Sequence, residues 1–324
     1  MKLSSVKSIL LLLVLFSKIQ GKCQSKNSDT VVIGSYISSI HNINIPDNYV
    51  EADIYLWCRY SPQKKYSFDQ QLEFNNCNST VLSGTATVLE LDQIRFLTKA
   101  QIQSRQNFSL RNFPFDKQRL IFPIESNYYT SEELIFRTDD FNSGFDSNVN
   151  LSLNGWRLDN HRVSSAISNY FTSFGSSDNK GSSYARYEII IDLSRKNPWL
   201  IFLKLILGAI ISYSIAICSF WINPGDTEAR LSLCMTGIFG AVGNKYITES
   251  IQPSLIELTL IDRLHNITFI AIFLIILSMI YISRLSNSPI EKNKVRLKYI
   301  NKLSFYAITI LYASICMIEI ISSQ

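Results

Sequence analysis

Charge is scarce in this chain. Only 18% of its 324 residues are Asp, Glu, Lys or Arg, against about 25% in a typical soluble domain. That deficit excludes an ordinary soluble protein and points to membrane segments. The 31 basic residues exceed the 26 acidic ones but are scattered. No basic stripe interleaves with aromatics, which excludes a nucleic-acid partner. None of the six cysteines stands in a C-x-x-C pair, so a zinc site is excluded. A metal motif, a nucleophile elbow and a phosphate loop are also lacking. The chain therefore reads as a non-enzyme, with no metal and no cofactor. His41 and His161 read as surface residues.

What is present falls into three parts. Residues 1–21 read as a secretory signal: Lys2 and Lys7 give the positive start, and residues 9–16 form an apolar core too short to span a bilayer. Residues 28–197 alternate as short strands broken by turn clusters, the pattern of an extracellular, immunoglobulin-like β-sandwich. On the strand at 50–60, Tyr55, Trp57 and Arg59 point one way and Ile54, Leu56 and Cys58 the other. Further strands are expected near 31–45, 82–89, 94–102, 118–124, 134–136, 156–166 and 183–193. A bridge between Cys58 and Cys77 is permitted in an exported domain. Sequons at Asn78, Asn107 and Asn150 are expected on surface loops, and a silent one at Asn266 in a span.

Composition changes abruptly after Arg195-Lys196-Asn197-Pro198. Residues 198–324 carry four helical stretches, at about 199–222, 228–250, 258–282 and 303–321, each near the roughly 20 residues a spanning helix needs. The connector 284–302 holds Arg284, Lys292, Lys294, Arg296, Lys298 and Lys302 against Glu291. By the positive-inside rule it is cytoplasmic, which leaves the N-terminal domain and the C-terminus outside. Two readings of topology, export signal and loop charge, agree.

The second stretch is the most polar. Arg230, Ser232, Thr236, Asn244, Lys245, Thr248 and Glu249 sit in it beside Gly237, Gly240 and Gly243. Polar residues in a span face a bundle interior or a water-filled path. Ser232, Thr236, Phe239, Gly243, Tyr246 and Ser250 recur at steps of four and three and share one face. With Glu228 at the inner mouth they would line a pore, and Phe239 would form an apolar constriction that gates by dewetting. The small residues fit tight helix packing equally. The neighbouring stripe Leu231, Met235, Ile238 and Val242 is the other face the period allows. Lys245 is expected to pair with Glu249 or Asp262 in a structural network behind the pore.

The run Asn112-Phe113-Pro114-Phe115-Asp116-Lys117-Gln118 resembles the signature loop of pentameric ligand-gated ion channels, the Cys-loop receptor superfamily. Asp53–Tyr60, Gly155-Trp156, Arg195, Glu228-Ala229-Arg230 and Pro253 resemble further family features in the same order. Gln106 and Leu120 stand where the family has its bridging cysteines, and Gly208 where the first span usually has proline, so the resemblance is to the prokaryotic-type, bridge-free branch. It implies a pentamer of identical or related subunits that conducts ions across the bilayer. A small extracellular ligand, or protons, would bind between subunits. Tyr55, Trp57 and Arg59 would supply one face of that site, and Tyr128, Tyr129, Tyr170, Phe171 and Tyr184 the other. Phe113, Pro114, Phe115, Asp116, Arg195 and Pro253 would couple binding to gating. A Glu228 ring would favour cations, opposed by Arg230 if that residue faces the lumen. The rival readings are an anion channel of the same family, a non-conducting membrane-anchored receptor and a membrane-tethered enzyme.

Overall fold

The computed structural model describes residues 28–149, 153–175, 181–251, 257–286 and 292–323. The expected signal segment, the Asn150 sequon, Pro253 and the tip of the 173–183 hairpin lie outside them, wholly or in part.

Two sheets form the N-terminal domain. One runs in the order β4 (Cys77–Glu90), β5 (Gln93–Arg105), β2 (Tyr49–Tyr60), β1 (Asp29–Asn44) and β7 (Leu134–Thr138), with β8 (Gly144–Phe145) also on β1. The other runs β3 (Leu72–Phe74), β6 (Lys117–Ser126), β10 (Ser182–Arg195) and β9 (Trp156–Tyr170). In β2 every second residue is buried, so Tyr55, Trp57 and Arg59 do turn outward and Ile54, Leu56 and Cys58 inward. Gly34 matters here: a Cβ at that position would lie 2.5 Å from the Trp57 ring, which rests against it.

The structure differs from expectation in several places. The short strands expected near 31–45 are one long strand, because a bulge between Ile37 and Ser39 lets pairing with β2 continue. Strands β3 and β8 are too short to leave a period-2 signal. Cys58 and Cys77 are both free thiols. Asn78 is exposed but lies in strand β4, not in a loop.

Four long helices follow: α1 (Pro198–Cys218), α2 (Thr227–Ile251), α3 (Leu260–Ser286) and α4 (Lys292–Ser322). Three of them are long and apolar enough to cross a membrane: α1 with its terminal turn, α3, and α4 from Arg296. Helix α2 has the length but a mixed composition. Helix α4 begins at Lys292, about three turns before the expected start at 303 and inside the expected connector, where Leu297 is buried and carries the apolar face backward. Three of the four starts have a local cause. Asn197 takes the left-handed conformation at φ 51°, which Asn tolerates, and Pro198 follows at the first helical position. Asp226 Oδ1 accepts the Ala229 N–H at 3.3 Å and caps α2. Thr259 and Asp262 bond reciprocally as a capping box for α3.

One hydrophobic core runs from the sandwich through Phe113 and Phe115 into Phe202, Leu205, Leu260 and Leu264 of the helices. A second cluster fills the far half of the bundle around Tyr213, Cys234, Ile272 and Met279.

Candidate functional site

Three places carry the polar and aromatic residues singled out above. The first is the outer part of the sandwich. Trp57 Nε1 and Arg59 Nη2 both donate to Asp139 Oδ2, at 3.1 and 2.8 Å. Tyr55 lies beneath the Lys99 ammonium, 5.9 Å from the ring centroid, and Lys99 pairs with Asp53 at 3.0 Å. Trp57 and Arg59 are thus positioned by a buried carboxylate, while one face of Tyr55 already holds an internal cation.

The second group lies on the other sheet. Tyr170 Oη donates to Glu125 Oε2 at 2.7 Å, and Arg186 Nε donates to Glu125 Oε1. Tyr170 packs edge-on against Tyr184 and Phe174. The backbone N–H groups of Tyr128 and Tyr129 donate to Ser126 Oγ. The Ser131 N–H donates to the Ser183 carbonyl and holds that loop to β10. Tyr129 meets Tyr66, which stacks on Phe68 and touches Tyr60. Phe171 is fully exposed and Tyr128 largely so. Sequence reasoning missed Glu125, Arg186, Tyr66 and Asp139, since lone charged or aromatic residues whose partners are distant in the chain carry no periodic signal.

Burial alone would raise the Glu125 carboxyl, but hydrogen bonds from Ser168, Tyr170 and Arg186 outweigh it and hold the group below its ordinary value. A depressed carboxylate stabilises the fold above its unfolded pKa and loses that contribution as pH falls through the folded one. The Glu125–Arg186 tie should therefore stay intact from pH 8 to pH 5. The Glu125-dependent part of thermal stability should be flat across that range. A midpoint near pH 6 that vanishes in Glu125→Gln would overturn this assignment.

Within one chain the two groups stay apart, on different sheets. They stand at comparable heights. Strand pairing puts Tyr55–Arg59 and Tyr184 about 20–35 Å above the end where α1 departs, at roughly 3.3 Å per residue.

The second place is the junction of sandwich and helices. Arg195 Nε donates to Asp116 Oδ1 at 2.6 Å, and the guanidinium lies between the Phe113 and Trp156 rings at 4.7 and 4.2 Å. The Asp116 side chain is 2% exposed and that of Arg195 13%. The ends of the signature loop are held by two glutamines. Gln106 exchanges hydrogen bonds with the Ile121 backbone at 3.1 and 3.0 Å. Gln118 does the same with Ser109 at 3.2 and 2.7 Å. Phe115 docks on Trp199 and Phe202 of α1. Arg263 at the head of α3 donates to the Arg111 carbonyl, to Glu319 and to Ser323. That one side chain ties the loop to the end of α4. Its partners lie far away along the chain, so local sequence pattern did not single it out.

The third place is α2. Its buried side is Arg230, Cys234, Gly237, Ala241 and Thr248. The opposite side is exposed and includes all seven residues expected to line a pore: Glu228, Ser232, Thr236, Phe239, Gly243, Tyr246 and Ser250. At about 100° per residue they sit at the centre of the exposed arc, with Met235 and Val242 on its flank. Phe239 is 67% exposed. Arg230 turns the other way and is 1% exposed. It donates to the Ser219 carbonyl at 2.9 Å and to Asn301 of α4, so the expected opposition to Glu228 is removed. Lys245 bonds to Asp262 and pairs with Glu249 at 3.2 Å. Asn244 bonds to His265 and to the Leu205 carbonyl. Close packing against α1 is achieved by Gly208, where a Cβ would lie 2.2 Å from Asn244, and by Gly237, 2.7 Å from the Ser212 carbonyl. Gly243 faces open space and has no packing role.

No protein-family model matches the chain. Among curated proteins, a gamma-aminobutyric acid receptor subunit beta of Caenorhabditis elegans is 28% identical over 133 residues, which is 41% of this chain and 22% of that protein. A gamma-aminobutyric acid receptor subunit beta of Lymnaea stagnalis is 24% identical over 164 residues, 51% of this chain and 31% of that protein. The match spans less than a third of either relative's length.

Proposed function

We propose that this chain is one subunit of a pentameric ligand-gated ion channel of the Cys-loop superfamily, on its bridge-free branch. The exposed face of α2 carries the proposal: it combines hydroxyls, glycine and a central aromatic, and among the described residues no helix covers it. Symmetric repetition would set five such faces around a lumen. The sandwich and the C-terminus lie outside the membrane and the α3–α4 connector inside.

The ligand binds between subunits, with Tyr55, Trp57 and Arg59 of one facing Tyr128, Tyr129, Tyr170, Phe171 and Tyr184 of the next. Tyrosine faces and the Glu125 carboxylate suit an ammonium, and Arg59 suits a carboxylate. A small zwitterion such as γ-aminobutyric acid, named in both relatives, has both groups. Ligand screening under voltage clamp tests the reading. Robust surface expression with no current under any ligand or pH would favour a non-conducting receptor.

Binding acts on gating through the junction of Asp116, Arg195, Phe113–Phe115 and the loop that carries Pro253. Arg263 belongs to the same path. Arg263→Gln should raise the half-maximal ligand concentration about 5- to 30-fold, the scale of a 1–2 kcal/mol coupling loss, while direct ligand binding stays within twofold. Equal changes in both would assign Arg263 to folding instead.

Glu228 gives the inner mouth a ring of negative charge, and Arg230 faces the bundle, so the pore prefers cations. Glu228→Gln should move the reversal potential toward that of the anion in a dilution experiment. An unchanged reversal potential would remove Glu228 from the filter, and an anion-selective wild type would reverse the assigned sign.

A further inference from the structure

Lys204 is a charge that the fold of one subunit leaves unanswered. It stands within the first two turns of α1, in a run of leucine, isoleucine and phenylalanine. It is exposed, and among the described residues it has no ionic or hydrogen-bonding partner. Ionised residues in a span pair with one another or face a bundle interior rather than lipid. On α2 the imbalance is the reverse. Lys245 alone serves two carboxylates, Asp262 and Glu249. The Asp262 side chain is 13% exposed and that of Glu249 59%. One base is thus in excess on α1 and one acid on α2.

Helix geometry puts these two groups on opposite flanks of the subunit. Helix α1 meets α2 through Leu205, Gly208 and Ser212, and meets α4 through Tyr213. At about 100° per residue, Lys204 lies about 75° past the α2 contact, on the side away from Tyr213. Helix α2 meets α1 through Gly237 and Asn244, and meets α3 through Lys245. Glu249 lies about 130° from the α1 contact, on the α3 side. Their depths agree. The Asn244 amide donates to the Leu205 carbonyl at 3.0 Å and fixes α1 against α2. Glu249 then stands about 6 Å above Lys204 at a rise of about 1.5 Å per residue, within reach of a lysine stem. In a ring closed head to tail, the α1 flank of one subunit abuts the α3 flank of the next.

We infer that Lys204 of one subunit pairs with Glu249 of the neighbouring subunit, and that this pair sets the register of the subunit interface inside the membrane. The partner is a second copy of this chain, chosen by charge complementarity. Asn266 is exposed on α3, next to the His265 that bonds Asn244, so the same flank also offers an amide at the depth of Lys204. Lipid against that flank would strand the ammonium in hydrocarbon. The inference rests on the ring proposed above, but not on ion conduction.

The test uses the full-length protein in membranes. Lys204→Cys with Glu249→Cys in one chain, treated with a short bismaleimide, should give a ladder of covalent dimers and higher oligomers on a denaturing gel. A link within one chain would leave monomer. The wild type and either single cysteine variant should also run as monomer. A second arm reads charge. Lys204→Glu should lower the fraction recovered as intact oligomer by native mass spectrometry about tenfold, since a like charge then faces Glu249. Adding Glu249→Lys should restore most of that loss. Intact oligomer without a ladder from the double-cysteine chain, or no recovery on exchanging the two charges, would overturn the pair and leave the ring standing. A ladder from a protein that passes no current keeps the pair and loses the channel. Wild type recovered only as monomer would remove ring and pair together.

Discussion

Replacing Arg195 by glutamine should destabilise the protein by about 3–5 kcal/mol, the cost of leaving one partner of a buried ion pair alone. That is a large part of the roughly 5–15 kcal/mol that holds a domain folded. Asp116 would keep only the Gln118 amide, which donates to Oδ2 at 2.8 Å. The Phe113 and Trp156 rings would lose the planar cation between them. Three variants separate the terms. Arg195→Lys keeps the charge but loses the stacked, forked geometry, and should fall between wild type and glutamine. Adding Asp116→Asn to Arg195→Gln should recover part of the loss, because no charge is then stranded. Thermal inactivation and surface density of assembled protein measure all three. A single-variant loss below about 1 kcal/mol would show that solvent, not Asp116, balances Arg195.

Phe239→Ser should produce a current without ligand, comparable to the evoked maximum of the wild type. In the proposed pentamer, a ring of aromatic side chains at the middle of α2 excludes water at small radius, and ions do not cross a dry gap. Serine there would keep the lumen wet whether or not the sandwich holds ligand. Because Phe239 is exposed within the subunit, its removal opens no core cavity. Met235→Ser is the paired control. A leak in Met235→Ser and none in Phe239→Ser would rotate the lumen to the neighbouring stripe. Silence in both at normal surface density would remove the constriction from α2.

These two residues show what was legible beforehand. The stripe through Phe239 could be read because helical period is a local property. Its outward side could not, since only packing against α1 and α3 decides which face is buried. The same holds for Arg230, whose polarity allowed either the lumen or the bundle interior and whose partners, Ser219 and Asn301, are 11 and 71 residues away. Alternation on β2 placed Tyr55, Trp57 and Arg59 correctly, yet gave no hint that Asp139, 80 residues on from Arg59, would hold the arginine. Asp116 and Arg195 were brought together as coupling residues by the resemblance alone. Arg263 was visible only as one polar residue among several, because its role is fixed by a loop more than a hundred residues earlier.

The glutamine clamps at the base of the signature loop have a consequence for how the protein matures. A loop closed by Gln106 and Gln118 needs no oxidant and no thiol exchange to close its base. All the cysteines among the described residues are free, so that part of the chain can assemble equally well on either side of a redox boundary. Reductant should leave it untouched. The closure is also renewable: hydrogen bonds that open during a large movement of the loop re-form in place, where a broken covalent link would wait for chemistry.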